Sequence, residues 1–166
     1  MTKFLHTADW QLGMTRHFLS DEAQARFTAA RIEAITTIGA LAVDERCSFV
    51  VVSGDVFESN QVERQVVVRS LEAMRATPGV TFYLLPGNHD PLDAASVFRS
   101  KTFLDNCPAN VVVLENSDPV PAADGIDDPE TELGRQVGMS MRLHPRYWFD
   151  PIGDLPVHPL ARSSAL

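Results

Sequence analysis

Three short polar clusters in this chain carry side chains that bind metals or move protons. Asp9 and Gln11 follow Phe4-Leu5-His6-Thr7, Asp55 follows Phe49-Val50-Val51-Val52, and Asn88, His89 and Asp90 follow Thr81 to Leu85 through Pro86-Gly87. Taken singly, Asp, Asn and Gly after an apolar run are ordinary turn residues. Three such clusters in one chain point to a shared site. Carboxylate and amide oxygens with an imidazole, and no thiolate, suit Mn²⁺, Mg²⁺ or Fe²⁺, with Zn²⁺ also eligible. Two ions about 3.5–4 Å apart can activate a water and clamp a phosphate. Asp55 is the natural bridge between them, because its apolar run lies between the other two in sequence. His89 fits a general acid at a leaving oxygen, or a cation facing a charged transition state. Asp90 fits a supporting role, orienting His89 or capping the turn.

The elements that must position these groups follow from the apolar pattern. Phe4–Thr7, Phe49–Val52, Thr81–Leu85 and Val111–Leu114 read as strands. The second is a continuous β-branched and aromatic run, as in a strand covered on both faces. Ser20 or Asp21 reads as an N-cap for a helix running to about Asp44, its inner stripe expected at Phe27, Ala30, Ala34, Ile38 and Leu41. Gly39 costs that helix roughly 1 kcal/mol against alanine. A second helix is predicted from Val62 to Ala76 and a third from about Ala94 to Asp105. His6, inside a strand, reads as a hydrogen-bonded structural residue, and His17 as an exposed one. Strands alternating with helices imply an α/β fold whose strands pair in parallel, in the order βαβαβαβ. The polar clusters then gather at one edge of the sheet, where open α/β sheets place their ligands.

With 166 residues, 45% of them hydrophobic, the chain can bury one core. No run approaches the ~20 apolar residues of a membrane span, and Asp9 arrives too early for the apolar region of a signal peptide. Cys47 and Cys107 lack metal-type spacing and read as reduced thiols of a cytoplasmic protein. The net charge of −8 argues against a broadly basic nucleic-acid surface. Residues 1–114 hold 10 basic and 13 acidic side chains, a balance of −3, and residues 115–166 hold 4 and 9, a balance of −5. That last segment also holds seven of the eleven prolines. The division expected is therefore a core over 1–114 and an irregular, acidic, proline-rich tail over 115–166.

Asp9-Trp10-Gln11-Leu12-Gly13, Gly54-Asp55-Val56-Phe57-Glu58 and Gly87-Asn88-His89-Asp90 resemble the first three motifs of the calcineurin-like metallophosphoesterases. His6-Thr7-Ala8-Asp9-Trp10 resembles the DNA-repair exonuclease (SbcD-type) branch of that family. The resemblance covers residues 3 to 114 and implies the N-terminal half of a metallophosphoesterase sandwich. It also implies a phosphodiester hydrolase that uses two divalent ions, manganese foremost, with Asp9, Asp55 and Asn88 as ligands and His89 at the leaving group. DNA is the implied substrate and an SbcC-type coiled-coil ATPase the implied partner. Two departures are visible. Gln11 stands where the family has His, and the later Gly-His motifs that complete both ion shells are absent, with His144 and His158 each followed by proline. The resemblance therefore leaves two alternatives to a nuclease: a catalytically incomplete fragment, or a small-molecule phosphatase or nucleotidase.

Overall fold

The computed structural model describes residues 3–116 and Val120; nearly all of the expected tail, with His144 and His158, lies outside the described residues. Four strands, β1 (Phe4–Thr7), β2 (Phe49–Ser53), β3 (Thr81–Leu85) and β4 (Val111–Val113), form one parallel sheet in the order β1-β2-β3-β4. Leu5 pairs with Val50, Val50 with Phe82, and Phe82 with Val111. Helices α1 (Asp21–Asp44), α2 (Arg64–Arg75) and α3 (Lys101–Asn106) fill the crossovers. This is the α/β alternation that the apolar pattern implies.

Side chains alternate across a strand, so each face of the sheet collects its own cluster. Val50, Val52, Phe82 and Leu84 face the helices and share a core with Ile35, Leu71, Met74, Phe98 and Phe103. Phe49, Val51 and Tyr83 form a second cluster on the opposite face, where the Phe4 ring stacks on Phe49 at 5.1 Å. Every residue of β2 is buried, as its uninterrupted apolar run requires.

Ser20 caps α1, its side chain accepting from the Ala23 N–H, with Asp21 and Glu22 in the first turn where the helix dipole favours negative charge. The buried stripe of α1 is not the expected one. Ile32, Ile35, Gly39 and Ala42 face inward, whereas Ala30, Ala34 and Leu41 are exposed. Alanine occurs around much of this helix, so apolar spacing alone fits more than one face; the bulky isoleucines decide which one packs. Gly39 turns out to be a contact point. A Cβ there would lie 2.6 Å from Thr77 Oγ1, so glycine is what lets α1 approach the C-terminal end of α2.

The single helix expected from Ala94 to Asp105 is instead a 3₁₀ turn at Val97–Arg99 followed by α3. Side-chain acceptors divide it. Asp93 Oδ1 takes the Ala95 N–H at 2.8 Å, and Ser100, in extended backbone, takes the Phe103 N–H at 3.1 Å as a fresh N-cap. Val97, Phe98 and Phe103 are nonetheless buried, as their spacing implies.

Candidate metal centre

The three polar clusters lie at the carboxyl ends of β1, β2 and β3, which are adjacent strands. The loops after β1 and β2 are joined main chain to main chain. Asp9 N–H donates to the Gly54 carbonyl at 3.2 Å, Gln11 N–H to Asp55 at 2.8 Å and Leu12 N–H to Val56 at 2.9 Å, and Glu58 N–H donates back to Leu12 at 3.0 Å. Leu12 and Phe57 form a parallel bridge beyond the strands proper. Pairing thus continues past the sheet into the segment that carries Asp9, Gln11 and Asp55.

This continuation requires unusual backbone. Asp9, Gln11 and Asp55 have φ of 55°, 43° and 51°, three of the four non-glycine residues with positive φ among those described. Such conformations are uncommon outside glycine and gather at functional sites.

The loop after β3 is held by side chains rather than by main-chain pairing. Asp55 Oδ1 accepts the His89 N–H at 3.1 Å. Asp90 is fully buried, and its two oxygens accept the Gly87 N–H at 2.7 Å and the Phe57 N–H at 2.9 Å. Burial pushes the Asp90 carboxyl up from its ordinary range, the backbone donors of Phe57, Gly87 and Val56 pull it down, and the neighbouring Asp55 charge adds to the rise. Asp90 makes no hydrogen bond to the His89 ring; it closes the turn and ties it to the loop after β2. Gly87 is needed for the same approach, because a Cβ there would collide with the Asp55 carboxylate and backbone nitrogen. Asn60 adds a further tie, donating to the Pro91 carbonyl at 3.0 Å and accepting from the Val97 N–H at 3.0 Å. Phe57 is fully buried against Phe98 and Phe103, anchoring the loop after β2 to α3.

The resulting surface has a graded exposure. Asp55 is almost buried at 9%, Gln11 is half-buried, and Asp9, Asn88 and His89 are exposed. The Asp9, Gln11 and Asn88 side chains make no hydrogen bond among the described residues, so their oxygens are available to a ligand. The His89 Nδ1–H lies 3.1 Å from the Glu58 carbonyl that accepts it, leaving Nε2 as the ring nitrogen open to exchange a proton. His6 hydrogen-bonds Ser53 Oγ at 2.7 Å, and His17 is exposed. Two carboxylates and two amide oxygens are the donor chemistry of a hard divalent cation. Among the described residues, however, no three His, Cys, Asp or Glu side chains are gathered closely enough to hold an ion.

Two residues of the site escape the strand-end reading. Glu58, after the second cluster, supplies the carbonyl that holds His89, and its buried Oε2 has no hydrogen-bond partner. Arg31, on α1, reaches under the first loop to donate to the Trp10 carbonyl. The available signal for Arg31 was a charge on the helix face between Phe27 and Ile35, four residues to either side.

The calcineurin-like phosphoesterase family matches residues 2–159, running past residue 114, where the motif resemblance ends. The chain is also 33% identical over 93 residues to the SbcD component of the SbcCD nuclease from Rhodobacter capsulatus. That similarity covers 54% of this chain and 22% of the relative, so the chain spans less than a quarter of that relative's length. Among the described residues no helix is long and apolar enough to cross a membrane.

Proposed function

This chain belongs to the calcineurin-like phosphoesterase family, and we propose that its strand-end site hydrolyses phosphodiesters with the help of divalent metal ions. The observation that supports this most is the convergence on Asp55. Its main-chain carbonyl accepts from Gln11, its carboxylate accepts from the His89 N–H, and Gly87 packs directly against it. On this reading Asp9, Gln11, Asp55 and Asn88 would hold the divalent ions, Asp55 being the most central of the four. Manganese is favoured, with magnesium, iron or zinc as alternatives. When bound, the ions supply Lewis acidity and activate water for attack on phosphorus. Asp90 keeps the third loop seated on the second. His89, its Nδ1–H engaged by the Glu58 carbonyl, uses Nε2 to pass a proton to the departing oxygen.

The relative's role as part of a nuclease supports DNA as the substrate and an SbcC-type coiled-coil ATPase as a partner, and the unpaired Cys47 and Cys107 support a cytoplasmic setting. A second reading has its own support. The described residues supply two carboxylates and two amides but no cluster of three acidic, cysteine or histidine ligands, which leaves a catalytically incomplete site as the alternative. The catalytically incomplete fragment is that reading. A small-molecule phosphatase would use the same ions and differ only in substrate.

Mn²⁺-dependent hydrolysis of bis-p-nitrophenyl phosphate and of linear DNA tests the proposal, with Asp55→Asn and His89→Ala as controls. Turnover that both substitutions abolish is the expected result. Hydrolysis unchanged by either substitution overturns the mechanism, and calorimetry that finds one weak Mn²⁺ site or none establishes the incomplete form.

A further inference from the structure

The loop that carries Asp9 and Gln11 needs an outside support. Three of its residues, Asp9, Gln11 and Gly13, sit at positive φ, and its ladder to the loop after β2 ends at Leu12. From the position of Arg31 we infer that this residue is the support: a positioning residue whose guanidinium fixes the loop and thereby the ligand oxygens of Asp9 and Gln11. The inference rests on the metal-dependent reading above.

The contacts are specific. Arg31 Nη1 donates to the carbonyl of Trp10, the residue between the two ligands, and Nη2 lies 3.7 Å from Met14 Sδ farther along the same loop. The guanidinium carbon stands 4.7 Å from the centre of the Phe27 ring, a cation–π contact one turn back on α1. Its Nε is buried without a hydrogen-bond partner. Burial and the charge of Arg16 pull the group below its ordinary range, while the Glu58 carboxylate acts in the opposite direction. A guanidinium held under such desolvation needs compensating partners, and those present are loop atoms, an aromatic ring and the Glu58 charge. Gln24, also on α1, adds a second tie: its Nε2 donates to the Met14 carbonyl at 3.0 Å and its Oε1 accepts the Arg16 N–H at 2.8 Å. The first turns of α1 thus grip the loop along its length.

The geometry separates positioning from bulk support. Trp10 already packs its ring edge-on against Phe82 and donates its indole N–H to Thr7 Oγ1 at 3.0 Å. The side chain of Trp10 is therefore fixed without Arg31, and what Arg31 adds is a hold on the carbonyl of the Trp10–Gln11 peptide group, whose N–H is already held by the Asp55 carbonyl. A cavity of about 200 Å³ lined by Asp9, Trp10, Arg31, Ala34, Ile35 and Ile38 opens beside it, room enough for a small guanidine to enter when the side chain is shortened.

The test uses the full chain with Arg31→Met, Arg31→Lys and Arg31→Ala. Mn²⁺ affinity is read by calorimetry, and the hydrogen exchange of the Gln11 and Leu12 amides is read against that of Val51 in β2. In Arg31→Met, Mn²⁺ affinity is expected to fall at least about tenfold and the two loop amides to exchange at least about tenfold faster, with Val51 unchanged. Millimolar methylguanidinium is expected to restore Mn²⁺ binding to Arg31→Ala and to leave the wild type unaffected. If Arg31→Met does not fold, Arg31→Lys carries the same test, since lysine keeps the charge but lacks the planar fork that reaches two loop atoms. Wild-type affinity in the variants, or no rescue by methylguanidinium, overturns the inference. If the wild type itself binds no Mn²⁺, it is the metal-dependent reading that fails. The exchange experiment then still decides the role of Arg31, and loop amides that keep wild-type rates in Arg31→Met refute it.

Discussion

Asp90→Ala should unfold this protein far more easily than the loss of one surface carboxylate would. The side chain is 0% exposed and satisfies two backbone donors, the Gly87 N–H at 2.7 Å and the Phe57 N–H at 2.9 Å. Both donors belong to buried residues, so neither regains a partner from solvent when the carboxylate is removed. An orphaned buried N–H costs about 1–3 kcal/mol, which sets a gross loss of about 2–6 kcal/mol for the pair. Part of this is offset, because alanine also removes the desolvation that raises the Asp90 carboxyl. The net expectation is a loss of about 2–4 kcal/mol, a factor of roughly 30 to 1000 in the folding equilibrium. Asp90→Asn separates the two hydrogen bonds. Its amide keeps one acceptor and turns a donor toward the other N–H, so about half of the loss should persist. Urea titration followed by circular dichroism measures both variants, with the midpoint falling and the slope unchanged. A loss below about 0.5 kcal/mol in Asp90→Ala would mean that the two donors find other partners, and the account of how the third loop is seated would be wrong.

Three further outcomes are expected. Gly39→Ala gains roughly 1 kcal/mol of helix propensity but drives a methyl into Thr77, so it should destabilise by about 1 kcal/mol net, and that cost should vanish on a Thr77→Ala background; thermal unfolding of the double-mutant cycle decides it. Gln11→His exchanges a neutral amide oxygen for an imidazole at a left-handed position that histidine tolerates, and calorimetry should find Mn²⁺ bound about tenfold more tightly; weaker binding would take residue 11 out of the ion site. Burial pushes the Cys107 thiol up, with the Arg75 charge opposing, so its thiolate is scarcer than that of a free cysteine. Its alkylation near pH 8, followed by peptide mass spectrometry, should be slower than that of a free cysteine and climb as the pH is raised; an equal rate at pH 8 would contradict the shift.

The strands were readable because each had only one sensible assignment. Phe49-Val50-Val51-Val52 is too short and too branched for a helix, and the turn signals at Pro78-Gly79 and Pro86-Gly87 bracket β3 on both sides. Helix faces were harder to read. In α1 the small, plentiful alanines fit several stripes, and only packing shows that Ile32 and Ile35 point inward. The break at Ser100 depends on a local competition that spacing does not record, since Ser and Asp side chains can cap a new turn as readily as decorate an existing helix. The strand-end clusters could be found because their chemistry is carried by residue type. Arg31 was harder, because it acts on a carbonyl 21 residues away, and its one trace in the sequence is a charge set between Phe27 and Ile35 on the helix face.

The two kinds of join in the site carry different evolutionary freedom. The loops after β1 and β2 are linked through peptide groups, which every sequence possesses, so the ladder itself asks nothing of the side chains of Leu12, Val56 or Glu58. The loop after β3 hangs on three side chains, Asp55, Asp90 and Asn60, each removable by one codon change. A lineage built on this arrangement inherits one fixed jaw and one adjustable jaw. Selection for a different leaving group, or for a wider or narrower substrate, would reach the setting of Asn88 and His89 first and leave the placement of Asp9 against Asp55 as it was. Directed evolution started from this chain should accordingly find its gains at residues 57–60 and 86–93, opposite a scaffold that changes little.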